Sequence, residues 1–166
     1  MGLVRFQPVI HQNHHFVAMS RKIRVLVFED DKGIQFLFKK ILETRGYEII
    51  GFLDPSACPL HEHEECRCSG DVVCTDIIIS DIKMPHVDGI SFIKGQLEKG
   101  CCISPANILV VSGYWTEDLR KDADEMGVCV MRKPFGFGEI EEWLIGCENR
   151  LDLTKKLINA SELMGD

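Results

Sequence analysis

The sequence lacks any run of about 18 apolar residues, so we expect no membrane-spanning helix. It also lacks a basic segment followed by an apolar stretch at its start, so we expect no secretion signal and a cytoplasmic location. Basic residues are in deficit, because 19 Lys and Arg against 26 Asp and Glu leave a formal net charge of −7. Binding to nucleic acid or to an anionic membrane surface is therefore not expected, since both need clustered cations.

The sequence has no internal repeat, and its 166 residues, 45% of them hydrophobic, predict one domain with tails. Short apolar runs predict five strands, and helical spacing of apolar residues between them predicts helices. We assign residues 1–21 to an N-terminal tail, 22–150 to the domain and 151–166 to a helical extension or tail. The strands are expected at residues 23–28, 48–52, 77–80, 108–112 and 128–132, and helices around 34–42, 90–98, 117–126 and 138–150.

Alternating strands and helices predict an α/β fold with a doubly wound parallel sheet of five strands. In such sheets ligands bind outside the carboxyl ends of the strands. Polar residues stand at four of these ends: Glu29, Asp30 and Asp31 follow the first strand, Asp81 follows the third, Ser112 ends the fourth and Lys133 follows the fifth.

Converging carboxylates repel one another unless a cation neutralises them, and oxygen ligands suit Mg²⁺. A carboxylate, a hard cation and an ammonium group together suit a phosphoryl group. An Asp carboxylate can itself act as the nucleophile. Taken singly, each residue fits an ordinary solvated turn; taken together, they favour phosphoryl chemistry.

Four segments resemble the receiver domains of two-component response regulators, in the same order and spacing. The segment containing Asp81 carries the strongest similarity. The segments are residues 25–31 (VLVFEDD), 81–89 (DIKMPHVDG), 109–113 (LVVSG) and 132–135 (RKPF), and the resemblance extends from about residue 23 to residue 150. The resemblance implies a flavodoxin-like fold in which the Lys133–Pro134 bond is cis.

The resemblance also implies roles for the strand-end residues. Asp81 is expected to accept a phosphoryl group, with Lys133 paired to it and Ser112 bonded to a phosphoryl oxygen after transfer. Gly113 leaves room for that group. Mg²⁺ or Mn²⁺ is expected to bind Asp30 and Asp81 directly, Glu29 through water and the backbone carbonyl of Lys83. Asp31 is left to begin the loop or cap the first helix.

A signalling role without a substrate of its own follows from the resemblance. The phosphoryl donor is expected to be a sensor histidine kinase or a histidine phosphotransfer protein, and the output a downstream protein, since we expect no output domain on this chain. A homodimer through the fourth helix, fifth strand and fifth helix is a further expectation. Val130 stands where the family has an aromatic switch residue, so coupling to that face is expected to differ. Lys83 and Tyr114 are expected to tune the phosphoryl lifetime.

The segment 54–74 departs from the family, because Pro55 and Pro59 disfavour the regular second helix expected there. It contains zinc-compatible side chains: Cys58, His61, His63, Cys66, Cys68 and Cys74. Three interpretations stay open. An irregular loop with free thiols is favoured over a metal site, and the third is a disulfide or redox role, with Cys74 paired to Cys58 or Cys66.

Two other functions compete with the receiver reading. An aspartyl-phosphate phosphatase needs a second Asp two residues after the nucleophile, where this chain has Lys83. The other competing function is that of a degenerate receiver, which binds partners without phosphorylation. The sequence disfavours it, because the residues of the phosphoryl site are all present.

Overall fold

The computed structural model describes residues 21–164, in which helices cover both faces of a five-stranded parallel sheet. In chain order the strands are β1 (Arg24–Phe28), β2 (Glu48–Phe52), β3 (Val72–Val73), β4 (Ile77–Asp81), β5 (Ile108–Ser112), β6 (Cys129–Arg132) and β7 (Lys156–Leu157). The sheet has the order β2-β1-β4-β5-β6, and β3 pairs separately with β7. This confirms the predicted doubly wound fold. The tail assigned to residues 1–21 lies, apart from residue 21, outside the described residues.

Six helices are described, and they divide between the two faces. The helices are α1 (Lys32–Glu43), α2 (Pro59–Glu62), α3 (Gly89–Glu98), α4 (Glu117–Met126), α5 (Phe137–Glu148) and α6 (Ala160–Met164). α1 and α5 pack on one face, and α3 and α4 pack on the other with the two short helices α2 and α6. None of the helices within residues 21–164 has the length and apolar character needed to cross a bilayer.

The inner strands are apolar on both faces, as buried parallel strands must be. In β1, Leu26 and Phe28 contribute to the core beneath α3, whereas Val25 and Val27 contribute to the core beneath α1 and α5. All five residues of β1 are buried. Because successive side chains alternate between faces, one short apolar run supplies both cores.

Capping side chains fix where the helices begin after the strands. The Asp31 carboxylate accepts hydrogen bonds from the backbone N–H groups of Gly33 and Ile34, at 2.8 and 2.9 Å. Of the two roles expected for Asp31, starting the loop or capping the first helix, the structure shows the cap. Asp88 similarly caps α3 through the N–H of Ser91 at 2.9 Å. Both helices therefore start immediately beside the carboxyl edge of the sheet.

The segment 54–74 contains little regular structure, as its prolines predict. A 3₁₀ turn at Pro55–Ala57 precedes α2, which has only four residues. The segment then ends in β3, whose parallel partner β7 comes from the C-terminal part of the chain. The second helix of the fold is thus reduced to a single turn.

The C-terminal part corrects one expectation. The expected continuation of the helix at 138–150 into the residues that follow is wrong as far as residue 164, since α5 ends at Glu148. Arg150 instead donates hydrogen bonds to Asn107 Oδ1 and to the Ala106 carbonyl, both at 2.9 Å. Asp152 accepts from Thr154 in a turn, after which the chain pairs as β7. Tertiary contacts at Arg150 and β7 outweigh local helix propensity here.

Charged side chains are paired at the amino end of the sheet. The Arg21 guanidinium binds both carboxylate oxygens of Asp76, at 2.6 and 2.8 Å. Buried Arg24 binds Glu48 at 2.9 Å and also donates to the carbonyls of Cys74 and Ile158. We call Arg21, Arg24, Glu48 and Asp76 the amino-end network. Its two guanidinium groups balance its two carboxylates.

Candidate functional site

Three carboxylates meet at the carboxyl edge of the sheet. Glu29 and Asp30 follow β1, and Asp81 is the last residue of the neighbouring strand β4. One oxygen from each of the three lies within 4.8 Å of the others. Glu29 is buried, Asp81 is largely buried and Asp30 is exposed. The parallel register brings these ends together because adjacent strands stop at the same level.

The Lys133 ammonium group joins two of these carboxylates. It lies 2.7 Å from Glu29 Oε2 and 2.8 Å from Asp81 Oδ2. The other Asp81 oxygen, Oδ1, accepts a hydrogen bond from the N–H of Ile82 at 2.6 Å. Lys133 follows β6, and its peptide bond to Pro134 is cis, as the resemblance implied. We call Glu29, Asp30, Asp81 and Lys133 the acidic site.

Burial and charge shift the pKa values in this site. Burial raises the pKa of Glu29 above its ordinary value, and the neighbouring Lys133 offsets this effect only in part. Burial by itself would lower the pKa of Lys133, but its hydrogen bonds to Asp81 and Glu29 outweigh burial and raise it. One ammonium group thus faces three carboxylates, an excess of two negative charges when all are ionised.

The donor set of the acidic site fits a hard divalent cation. Mg²⁺ prefers carboxylate and other oxygen ligands, and an oxygen from each of Glu29, Asp30 and Asp81 is close enough to share one ion. The excess negative charge also favours a cation there. The Lys83 side chain is directed elsewhere, with its ammonium group 4.9 Å from the centre of the Tyr114 ring. The role of its backbone carbonyl as a ligand stays a prediction.

Ser112 lies at the end of β5, next to the strand that carries Asp81. Its hydroxyl donates to the Tyr114 carbonyl at 3.0 Å and accepts from the Tyr114 N–H at 3.2 Å. The hydroxyl is therefore held by its own loop. A Cβ added at Gly113 would meet no heavy atom within 4 Å, so there is open space beside the loop.

Gly89 is a site residue that was not singled out from the sequence. A Cβ built on it would lie 1.9 Å from the Asp81 carbonyl oxygen and 2.6 Å from Ser80 Oγ. Its N–H donates to the Ile82 carbonyl at 2.9 Å. The first turn of α3 can approach Asp81 only because this residue has no side chain. Its place at the end of the 81–89 segment was the available signal.

His86 connects the loop after Asp81 to the segment 54–74. Its Nδ1 lies 2.7 Å from Oδ2 of the buried Asp54 carboxylate. Burial alone would raise the pKa of Asp54, but hydrogen bonds from Ser56 and His86 outweigh burial and lower it. This contact between distant segments had no sequence signal.

The structure separates the six zinc-compatible residues predicted in the segment 54–74. Three of them, Cys66, Cys68 and Cys74, come together, and the fourth member of their cluster is Cys101 from beyond α3. The remaining three lie outside that cluster: Cys58 is buried in the hydrophobic core beneath α3, and His61 and His63 are partly exposed. All eight cysteines are free thiols, so neither candidate disulfide, Cys58–Cys74 or Cys66–Cys74, is formed.

Comparison with known proteins agrees with this geometry. The family model for the response regulator receiver domain matches residues 25–144. A transcriptional regulatory protein of Picosynechococcus sp. is 30% identical over 123 residues, which are 74% of this chain and 47% of that protein. The transcriptional regulatory protein PdtaR of Mycobacterium tuberculosis is 29% identical over 118 residues, 70% of this chain and 52% of PdtaR. The chain thus spans about half the length of these curated relatives.

Solved structures show the same fold. The receiver domain of a sensor histidine kinase from Pseudomonas aeruginosa, solved with a magnesium ion in its active-site cleft, matches with a TM-score of 0.59. The two share 19% sequence identity over 78% of this chain and 99% of that one. Because the family model covers most of the chain and the strand-end residues meet in one site, the chain belongs to the response regulator receiver domain family.

Proposed function

We propose that Asp81 accepts a phosphoryl group and that this event switches the binding of a partner protein. One observation carries the proposal: the Lys133 ammonium group holds Asp81 within a trio of carboxylates at the carboxyl edge of the sheet. Phosphoryl transfer needs a positioned nucleophile and neutralisation of charge more than covalent help. The donor would be a phosphohistidine of a sensor histidine kinase or a histidine phosphotransfer protein in the cytoplasm.

In this reaction an oxygen of Asp81 attacks the phosphorus atom of the phosphohistidine. The new O–P bond forms as the P–N bond to imidazole breaks, and the imidazole leaves with the bond's electron pair and takes up a proton. Lys133 pairs with the Asp81 carboxylate and can pair with a phosphoryl oxygen. Mg²⁺ or Mn²⁺, held by Glu29, Asp30, Asp81 and the carbonyl of Lys83, would supply neutralising charge on the phosphoryl oxygens.

The switch begins at Ser112. A phosphoryl group on Asp81 adds roughly 1.5–2 negative charges and new acceptor oxygens. When the Ser112 hydroxyl donates to one of them, it gives up its hydrogen bond to the Tyr114 carbonyl. Tyr114 is exposed and its ring lies under the Lys83 ammonium group, so a movement of Tyr114 would alter this contact. The loop of Ser112 and Tyr114 takes the place of the family's aromatic switch residue, because this chain has Val130 at that position.

The signal would reach a partner through α4, β6 and α5. Val130 on β6 and Phe137 and Ile145 on α5 are exposed, at 37, 55 and 49% of their surface. Such apolar side chains suit a protein contact, either with a downstream target or with a second copy of the chain. Val130 is too small to repeat an aromatic flip. We therefore expect phosphorylation to shift the resonances of Ser112 and Tyr114 more than those of Val130.

The test is incubation of the full chain with acetyl phosphate and Mg²⁺, followed by intact-mass measurement. One labile phosphoryl group should appear on the wild type and be absent from Asp81→Asn. Asp118→Asn is the matched control, since this carboxylate is exposed on α4 and should leave labelling unchanged. Labelling of Asp81→Asn at the wild-type level would overturn the proposal.

A further inference from the structure

Four cysteines form a cluster that the phosphoryl-transfer function does not use. The sulfur atoms of Cys66, Cys68, Cys74 and Cys101 all lie within 4.8 Å of one another. Cys68 and Cys74 are buried, and Cys66 and Cys101 are partly buried. The cluster lies away from the acidic site, because Cys74 precedes the amino end of β4 whereas Asp81 stands at its carboxyl end.

A tight turn brings two of these sulfur atoms together. Ser69 and Val72 exchange backbone hydrogen bonds at 3.0 and 2.7 Å, and Gly70 between them has a φ of +45°. The chain reverses there, so Cys68 and Cys74 face each other with their sulfur atoms 3.3 Å apart. β3 leads directly into Cys74 and is held by its pairing with β7.

The other two cysteines meet this turn through the end of α3. The N–H of Cys66 donates to the Lys99 carbonyl at 3.0 Å, and the N–H of Cys101 donates to the Gln96 carbonyl at 3.1 Å. Gly100, with a φ of +83°, turns the chain between these two anchors. Cys101 thus contacts the segment 54–74 although it lies 27 residues beyond Cys74 in the sequence.

Backbone N–H groups also aim at the sulfur atoms. The N–H of Cys68 lies 3.4 Å from Cys66 Sγ, and the N–H of Cys74 lies 3.4 Å from Cys68 Sγ. Such donors orient metal-bound thiolates and offset their charge. A tetrahedral zinc ion with Zn–S bonds of 2.3 Å sets its ligand sulfur atoms about 3.8 Å apart, which falls within the spacing of this cluster.

We propose that Cys66, Cys68, Cys74 and Cys101 bind one Zn²⁺ ion in a structural site. Four thiolates exclude Mg²⁺ and Ca²⁺ by their softness, and a complete set of four leaves no coordination position for a substrate. The ion ties the segment 54–74 to the end of α3. That segment has only one turn of α-helix, so metal coordination supplies cohesion that regular structure does not.

The first experiment measures the metal content of the full chain purified without chelator. We expect one zinc per chain, with loss of stoichiometric zinc in Cys101→Ser and full retention in Cys102→Ser. Cys102 is the matched control because it is the neighbouring cysteine, is exposed and lies outside the cluster. Absence of zinc from the wild type, stoichiometric iron in its place, or equal zinc in both variants would overturn the proposal.

A second experiment covers the case in which Cys101→Ser fails to fold. The chain is stripped of metal under reducing conditions and titrated with Co²⁺, which gives intense visible bands in a tetrahedral thiolate site. The wild type should show these bands, and Cys101→His should show them shifted, since histidine replaces one sulfur ligand. No tetrahedral spectrum in the wild type, or a disulfide between Cys68 and Cys74 in protein isolated without added oxidant, would reject the site. Labelling of Asp81 by acetyl phosphate is a separate readout, so the two proposals can fail independently.

Discussion

Both ends of the main sheet carry clustered charges, but these charges are balanced at the amino end and unbalanced at the carboxyl end. At the amino end Arg21 and Arg24 face Asp76 and Glu48, and each charge has an oppositely charged partner. At the carboxyl end Lys133 alone faces the three carboxylates of the acidic site. The amino end is complete as it stands, whereas the carboxyl end has an excess of negative charge.

The difference distinguishes charged side chains that stabilise the fold from charged side chains that favour binding of a cation. A balanced network contributes cohesion without needing anything from solution, although its desolvation limits the gain. An unbalanced cluster of like charges costs stability until a cation enters it. Residue type alone does not distinguish the two ends, since both use carboxylates and basic side chains. The ratio of the charges, which depends on spatial arrangement, distinguishes them.

The largest effect is expected from breaking the amino-end network. Arg24→Met should lower the free energy of unfolding by about 3 kcal/mol, because it leaves Glu48 without its partner and two carbonyls without a donor. Denaturant unfolding measures this loss, and the folded variant should still be labelled at Asp81. Lys39→Met, which removes an exposed pair with Glu43, should cost less than about 0.5 kcal/mol. Equal losses in the two variants would contradict a cohesive role for Arg24.

The next effect concerns the backbone beneath the acidic site. Gly89→Ala should lower the free energy of unfolding by about 2–3 kcal/mol and slow labelling, because the new Cβ collides with the Asp81 carbonyl. Gly95→Ala, in the same helix with open space around its Cβ, should be stabilising by up to about 1 kcal/mol. Unfolding curves and labelling rates measure both variants. A Gly89→Ala protein as active and stable as Gly95→Ala would show that the close approach is not required.

A divalent cation should stabilise the folded chain by binding at the carboxyl end of the sheet and not at the amino end. Mg²⁺ at about 100 times its dissociation constant should raise the free energy of unfolding by about 2.7 kcal/mol. Asp30→Asn should remove most of this gain, since it deletes the exposed ligand. Glu48→Gln, a matched loss of one carboxylate in the amino-end network, should keep it. Thermal unfolding with and without Mg²⁺ makes the comparison, and an equal loss of the Mg²⁺ effect in both variants would refute it.

The smallest effect is a pH dependence measured in EDTA. Because the pKa of Glu29 is raised in the folded chain, its contribution to stability is fully present below the ordinary carboxyl pKa. It is lost as the pH rises through the folded pKa. Glu29→Gln removes this ionisation. The variant should therefore gain stability relative to the wild type as the pH rises from acidic to neutral. A constant difference between the two unfolding free energies would rule out a raised pKa for Glu29.

Local sequence patterns predicted most of the fold and much of the acidic site. The strands β1, β2 and β5 and the helices α3 and α4 follow from apolar spacing and lie within about a residue of their predicted limits. Glu29, Asp81 and Lys133 were predicted from their places after strands and from the family motifs. Gly89 was harder to find, because the need for a missing side chain depends on how closely α3 approaches Asp81.

The sequence by itself determined the succession of the main strands and helices along the chain and the chemistry at the strand ends. It also determined the loss of the regular second helix at Pro55 and Pro59. Only the tertiary structure decided that Cys101 joins the cysteine cluster, that α5 ends at Glu148 and that β7 pairs with β3. The physical reason is range. Periodicity and caps act over a few residues, whereas these last features depend on contacts between segments far apart in the chain, which only the folded arrangement brings together.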